Sequence, residues 1–262
     1  MQYYIKGNHY SFYRRKKSMG IVLNLQLSAF INHRIEPNAS NISNLMNKIN
    51  ALGVKEFLPN VTMGQTIDIV KGKVDTKSNL AFVTADKSGQ IMCQDERLDC
   101  IFNFNQDSEC VFENEIQKLE NILALIMREY NIVSNRLALN VNLLGESYSG
   151  GLQNTTLGQH IVSSLNFYNN KILKEWSMRE NVWHPITISN QEEMMNVITE
   201  LSMVTNNQEN ENRILCHMDI NTIPENTGYR FNAESLREFV SGTELVASEI
   251  KTNFEGVSNN AE

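Results

Sequence analysis

Two residues with acid–base side chains lie two positions apart in the last quarter of the chain. His217 and Asp219, with Asn221 beyond them, would share one face of a β-strand, because alternate strand residues point to the same side. Such a pair could perform general acid–base catalysis or supply half of a metal site. A metal needs three or four ligands, however, and neither His160 nor His184 has a spacing that adds one. A polar sheet face open to water explains the same residues, and we favour it.

A serine flanked by small residues is the second candidate. The segment GESYSG contains Ser147, directly follows a patterned strand, and resembles the nucleophile segment of serine carboxypeptidases, which have the α/β-hydrolase fold. That fold expects the order serine, acid, histidine, but no histidine follows Asp219, the only aspartate after Ser147. Glu175 or Glu192 with His217 could replace that acid. We favour a loop between two domains and keep a hydrolase as the alternative function.

A basic cluster near the start of the chain is a candidate contact for a polyanion. It is formed by Arg14, Arg15, Lys16 and Lys17, in a polar leader of residues 1–18. The whole chain has a net charge of −7 and a pI near 5.4, so it lacks the broad basic surface that phosphate neutralisation needs. We favour a solvated tail and expect no nucleic-acid partner, with nucleic-acid binding through this cluster as a second alternative.

The remaining patterns predict no metal, cofactor or membrane segment. The four cysteines show no zinc-ligand spacing, so each is predicted to be a buried reduced thiol. No phosphate-binding or dinucleotide-binding glycine motif occurs. The apolar runs fall short of the ~20 residues that span a bilayer. We therefore expect a cytoplasmic protein.

The first half of the sequence alternates between strand and helix periods. Apolar residues recur at every second position over residues 21–31 and at helical spacing over residues 40–52 and 108–130. Within residues 90–104 the apolar positions change parity, which predicts a hairpin or bulge near residues 95–97. A strand over residues 136–143 completes this half.

The second half is less clearly patterned. Residues 189–192 have the form of a helix-capping box, which predicts a short helical turn. Residues 198–205 fit a strand or a helix, and we favour a strand that pairs with residues 213–222 across a polar hairpin loop. Asn232 is placed to cap a long final helix.

Three short segments resemble a sporadically distributed bacterial family of uncharacterised two-part α+β proteins. They are residues 88–98 (SGQIMCQDERL), 135–142 (NRLALNVN) and 218–221 (MDIN). The resemblance extends from about residue 20 to residue 254. It implies a two-part α+β fold and a bacterial or phage origin, and it implies no activity.

Together these patterns predict an α+β fold of antiparallel sheets packed by long amphipathic helices, consistent with a duplicated unit. The predicted parts are a leader (1–18), an N-terminal unit (19–146), a C-terminal unit (152–255) and a disordered tail (256–262). Without an assembled catalytic set, we favour a non-enzymatic interaction protein, such as a subunit, adaptor or inhibitor. Its partner is expected to be another protein or a second copy, and the sporadic family suggests a bacterial or phage conflict (antiviral defence) system.

Overall fold

The computed structural model describes residues 21–68, 73–105, 110–148, 157–158, 175–206 and 211–258. Nine strands and three helices are described from end to end. The strands are β1 (Ile21–Ile31), β2 (Phe57–Asp68), β3 (Lys73–Thr84), β4 (Gly89–Cys93), β5 (Arg97–Asn103), β6 (Ser134–Leu144), β7 (Ser177–Ile188), β8 (Gln191–Asn206) and β9 (Glu211–Thr222). The helices are α1 (Ala39–Ala51), α2 (Phe112–Glu129) and α3 (Ala233–Ser258).

All nine strands belong to one sheet, in the order β2-β3-β4-β5-β1-β6-β9-β8-β7. Every neighbouring pair is antiparallel. The first and last strands of the first half, β1 and β6, lie at the centre and pair with each other. Because β6 also pairs with β9, the two halves of the chain share a continuous sheet.

The fold class predicted from the sequence is therefore wrong. The chain does not form antiparallel sheets packed by long helices as a duplicated unit, but is dominated by one large antiparallel sheet. Two features of the chain account for the error. Alternation of apolar and polar residues does not mark the full length of β2 or β7. The β6–β9 pairing joins residues about 80 positions apart in the chain, so the sequence pattern does not show it.

The helices cover one face of this sheet. In β1 the fully buried Leu25, Leu27 and Ala29 point to that side, as the alternation predicts. They join one hydrophobic core with the apolar stripes of α2 and α3, represented by Leu119 and Phe239. The helices α2 and α3 also pack on each other. The opposite face of β1 carries Asn24, Gln26, Ser28 and Phe30, whereas Val22, beyond a register shift, belongs to the core.

The β7–β8 connection corrects another prediction. Ser189 and Asn190 do not start a helical turn. They are the two central residues of a tight hairpin, with φ of 52° and 60°, and Ile188 pairs with Gln191. Asparagine tolerates such positive φ values better than most residues. Residues 198–205 lie within β8 and pair with both β7 and β9, which confirms the strand alternative.

The other local predictions agree with the structure. A hairpin joins β4 and β5 at residues 94–96, where the apolar parity changes. The Asn232 side chain accepts hydrogen bonds from the backbone N–H groups of Glu234 (3.0 Å) and Ser235 (2.9 Å) and so caps α3. The leader of residues 1–18 and residues 149–151 between the two predicted units lie outside the described residues, as do residues 259–262 of the predicted tail, whereas residues 256–258 belong to α3.

The four cysteines are unpaired thiols. Cys93, Cys100 and Cys216 are buried, as predicted, and Cys110 is half-buried. Burial raises the pKa of Cys93 and of Cys216 to about 12, and that of Cys110 to about 11. It also raises the pKa of Cys100. The reactive thiolate is therefore scarce at neutral pH.

We expect Asn232→Ala to lower the free energy of unfolding by about 1 kcal/mol, because two N–H groups at the start of α3 lose their acceptor. Urea denaturation followed by circular dichroism measures this. The matched control is Asn47→Ala on the exposed side of α1, which should be neutral or slightly stabilising because alanine has the higher helix propensity. Equal losses in both variants would contradict the capping role.

We expect Ellman's reagent at about pH 8 to modify no more than one thiol rapidly in the folded protein, and all four in urea. The fast thiol should be Cys110, so Cys110→Ser should remove the fast phase. A fast phase of two or more thiols in the folded protein would show that the core around Cys93 and Cys100 is open.

Candidate functional site

The sequence-predicted acid–base pair lies on the sheet face opposite the helices. In the register of β9 against β6, His217 is opposite Asn142 and Asp219 is opposite Asn140. The His217 Nδ1 atom lies 2.8 Å from the Asn142 Oδ1 atom, and the Asp219 carboxylate accepts a hydrogen bond from Asn221 (2.9 Å). Each side chain is therefore bonded to a neighbouring amide, and no hydrogen bond joins His217 to Asp219 within the described residues.

Among the described residues, the backbone around Ser147 does not form a nucleophile elbow. After β6 the chain continues alongside β9, because the backbone N–H of Gly145 donates to Ile214 and that of Tyr148 donates to Asn212, both over 2.8 Å. Ser147 lies between these two contacts in an extended segment. A hydrolase serine needs a sharp strand-to-helix turn and a histidine within hydrogen-bond reach. Neither accompanies Ser147 in the part of the chain that the structure describes.

The same polar face contains a buried carboxylate that the sequence analysis did not single out. Asp99 on β5 is 3% exposed. Its Oδ1 atom accepts hydrogen bonds from Gln26 (3.0 Å), Ser28 (2.6 Å) and Arg97 (2.6 Å), and Oδ2 accepts one from Gln94 (3.2 Å). With four donors, one of them the guanidinium of Arg97, this charge is satisfied inside the sheet. It has the features of a structural network and not of a reactive acid.

An aromatic ring between two arginines continues this face. Phe30 on β1 lies opposite Arg97 on one side and Arg136 on the other. The two guanidinium carbons lie 5.1 and 4.9 Å from the ring centroid, within cation–π range. Arg97 is held by Asp99, so this row stabilises the centre of the sheet.

The edge strand β7 differs from the rest of the sheet in exposure. Within the described residues it pairs with β8 alone, over twelve residues. Residues 179–185 are exposed on both faces of the strand, and they include Val182 (56% exposed) and Trp183 (66% exposed). Edge strands of native proteins are usually protected by charges, proline or a covering element, because their free backbone groups pair readily with another chain.

The register shows which backbone groups of β7 point outwards. The N–H of Met203 donates to the carbonyl of Trp176, so the Trp176–Met203 pair is a hydrogen-bonded one. Such pairs alternate in an antiparallel ladder, so even-numbered residues bond to β8 and odd-numbered residues present N–H and C=O to the free edge. Pro185 is odd-numbered, so the N–H group that proline lacks would have faced the free edge, and no hydrogen bond to β8 is lost. Arg179, Asn181 and Trp183 present complete pairs of donors and acceptors.

A groove of about 240 Å³ borders this edge on the helix side of the sheet. It lies between β7, β8 and α3. Its lining is formed by Glu180, Val182, His184, Val197, Thr199, Val246, Glu249, Ile250 and Asn253. The helix approaches β7 closely just beyond it, since a Cβ atom on Gly242 would lie 2.4 Å from the Ile186 side chain. A strand exposed on both faces shows no alternation of apolar and polar residues, so the sequence does not reveal this edge.

The remaining candidate residues from the sequence do not form a site among the described residues. Arg14, Arg15, Lys16 and Lys17 lie outside the described residues. Glu175 and Glu192 lie just before β7 and at the start of β8, with no contact to Ser147 among the described residues. No cluster of three or more His, Cys, Asp or Glu residues that could hold a metal ion occurs there. None of the helices among the described residues is long and apolar enough to cross a bilayer.

Comparison with known proteins gives no family. No protein-family model matches the chain, and a search of curated proteins finds no significant match.

We expect Asp99→Asn to lower the free energy of unfolding by about 2 kcal/mol, because an amide replaces a buried acceptor that is surrounded by donors. Urea denaturation measures the loss. The control is Asp95→Asn, which removes an ion pair with Arg34 and Lys77 from a carboxylate that is 35% exposed and should cost less than about 1 kcal/mol. A smaller loss for Asp99→Asn than for Asp95→Asn would contradict the network.

Proposed function

We propose that the chain is a non-enzymatic protein-interaction protein that binds an extended segment of a partner protein by adding it as a strand to β7. The partner strand would become the tenth strand of the sheet. In this mode the backbone hydrogen bonds supply affinity, and alternate side chains supply specificity.

One observation carries the proposal, namely the outward-facing backbone groups of β7 next to exposed apolar side chains. Arg179, Asn181 and Trp183 can each donate and accept a hydrogen bond at the free edge. Val182 and Trp183 point to opposite faces of the sheet, so an added strand would gain an apolar contact on either side. Tryptophan is enriched among the residues that dominate binding energy at interfaces.

The other edge of the sheet fits the same class of function. β2 pairs with β3 alone among the described strands, and Leu58, Val61 and Met63 are exposed along it. A second copy of the chain could pair there or at β7. We propose the partner protein as the occupant of β7, because this edge borders the groove under α3.

The two alternative functions have less support. A hydrolase would need Ser147 or Asp219 to act with His217, whose Nδ1 atom lies instead beside the Asn142 amide oxygen. Nucleic-acid binding through Arg14 to Lys17 stays a prediction, as does a role in a bacterial or phage conflict system. Neither has a structural observation behind it.

We expect Asn181→Pro to abolish partner binding without unfolding the protein. Proline removes an N–H group that faces the free edge and leaves the bonds to β8 in place. The measurement is purification of the tagged full-length chain from its native host, with quantitative mass spectrometry of the proteins that co-purify. Asn181→Thr is the matched control, because it changes the same side chain but retains the N–H group.

The proposal predicts that at least one protein co-purifies with the wild type and with Asn181→Thr and is depleted about tenfold or more with Asn181→Pro. Thermal unfolding of both variants shows that the fold is retained. If the same partners co-purify with Asn181→Pro, or if none co-purifies with the wild type, binding at this edge is wrong. If the depleted protein is an untagged copy of the chain itself, β7 is a self-association surface.

A further inference from the structure

The groove beside β7 indicates which side chains a bound segment would carry. The even-numbered residues Glu180, Val182 and His184 line it from the strand side. A strand added to the free edge would place every second side chain next to these three residues and beneath α3. The lining of the groove therefore meets one face of the partner strand.

The middle of the groove is apolar. Val182 and Val197 form the sheet side, and Val246 and Ile250 form the helix side. The volume of about 240 Å³ is below the range of roughly 300–1,000 Å³ that is usual for small-molecule pockets. It suits one inserted apolar side chain and not a whole ligand.

Two carboxylates line the groove, one on the strand side and one on the helix side, and His184 lies on the strand side beyond Val182. Glu180 comes from the strand and Glu249 from the helix, and no lysine or arginine is among the lining residues. Leu245, one helical turn before Glu249, lies on the same flank of α3 and is 73% exposed. A lysine or arginine could lay its aliphatic stem on Leu245 and its charge beside Glu249, as long cationic side chains commonly do.

We propose, on the basis of the strand-addition function above, that the bound segment is basic: an apolar residue fills the groove, and the lysine or arginine side chains next to it pair with Glu180 and Glu249. The apolar residue anchors the segment, and the charges select it over neutral or acidic segments. The acidic net charge of the whole chain adds to the attraction.

The test uses nine-residue synthetic peptides in which the three central positions that face the groove are lysine, valine and lysine and all other positions are threonine. An acidic peptide has glutamate in place of both lysines. A third peptide keeps the lysines but has the backbone N–H groups that would face β7 methylated, so it cannot pair with this edge as a strand. Fluorescence anisotropy of labelled peptides with the full-length protein measures each affinity.

We expect the basic peptide to bind at least about tenfold more tightly than the acidic one, with a difference that shrinks as the salt concentration is raised, because exposed charges are screened. The double variant Glu180→Lys with Glu249→Lys should reverse the preference. The control is Glu225→Lys, which adds a positive charge at an exposed turn outside the groove and should leave the preference unchanged.

Two failures are distinguishable. If the basic and acidic peptides bind equally well and the methylated peptide does not bind, the basic segment is wrong while strand addition to β7 stands. If the methylated peptide binds as well as the basic one, or if no peptide binds at millimolar concentration, strand addition at this edge is wrong and the basic segment with it.

Discussion

The structure depends on the register of β6 between β1 and β9. Leu139 of β6 lies opposite Leu27 of β1 and Ile220 of β9, so three apolar side chains from distant parts of the chain form one row under the helices. A shift by one residue would turn the buried row of β6 to the polar face and its asparagines into the core. The pairing of β6 with β9 joins the two halves of the chain into one sheet. The burial of the apolar side chains on both strands fixes its register.

Helices cover only one face of the sheet. The polar side chains of the other face must therefore find hydrogen-bond partners without a hydrophobic core above them. Here the polar residues do so by bonding to one another across strands, as Asp99 does with Ser28 and Arg97 and as His217 does with Asn142. Asparagines on this face, such as Asn24, Asn142 and Asn221, contribute side chains that both donate and accept without adding charge. The polar residues that first suggested catalysis are thus part of what holds the open face together.

An open sheet of this size has two edges, and that constraint links the fold to the proposed function. The hairpin at Ser189 and Asn190 gives β7 its full length and leaves its odd-numbered residues facing outwards. The helix α3 then overhangs the same edge because Gly242 lets it approach Ile186 closely. The groove and the free backbone groups therefore lie side by side, which is the arrangement that strand addition uses.

The sequence by itself determined the local elements with strong periodicity: β1, the hairpin near residues 95–97, α2, and α3 with its Asn232 cap. It also placed His217 and Asp219 correctly on a polar strand face. It misjudged the fold class and the turn at Ser189, and it did not show that β7 is an edge. Pairing partners and exposure are properties of distant residues brought together, and a strand exposed on both faces shows no alternation. Only the tertiary structure, through the long-range register of β6, decided which strands became central and which became edges.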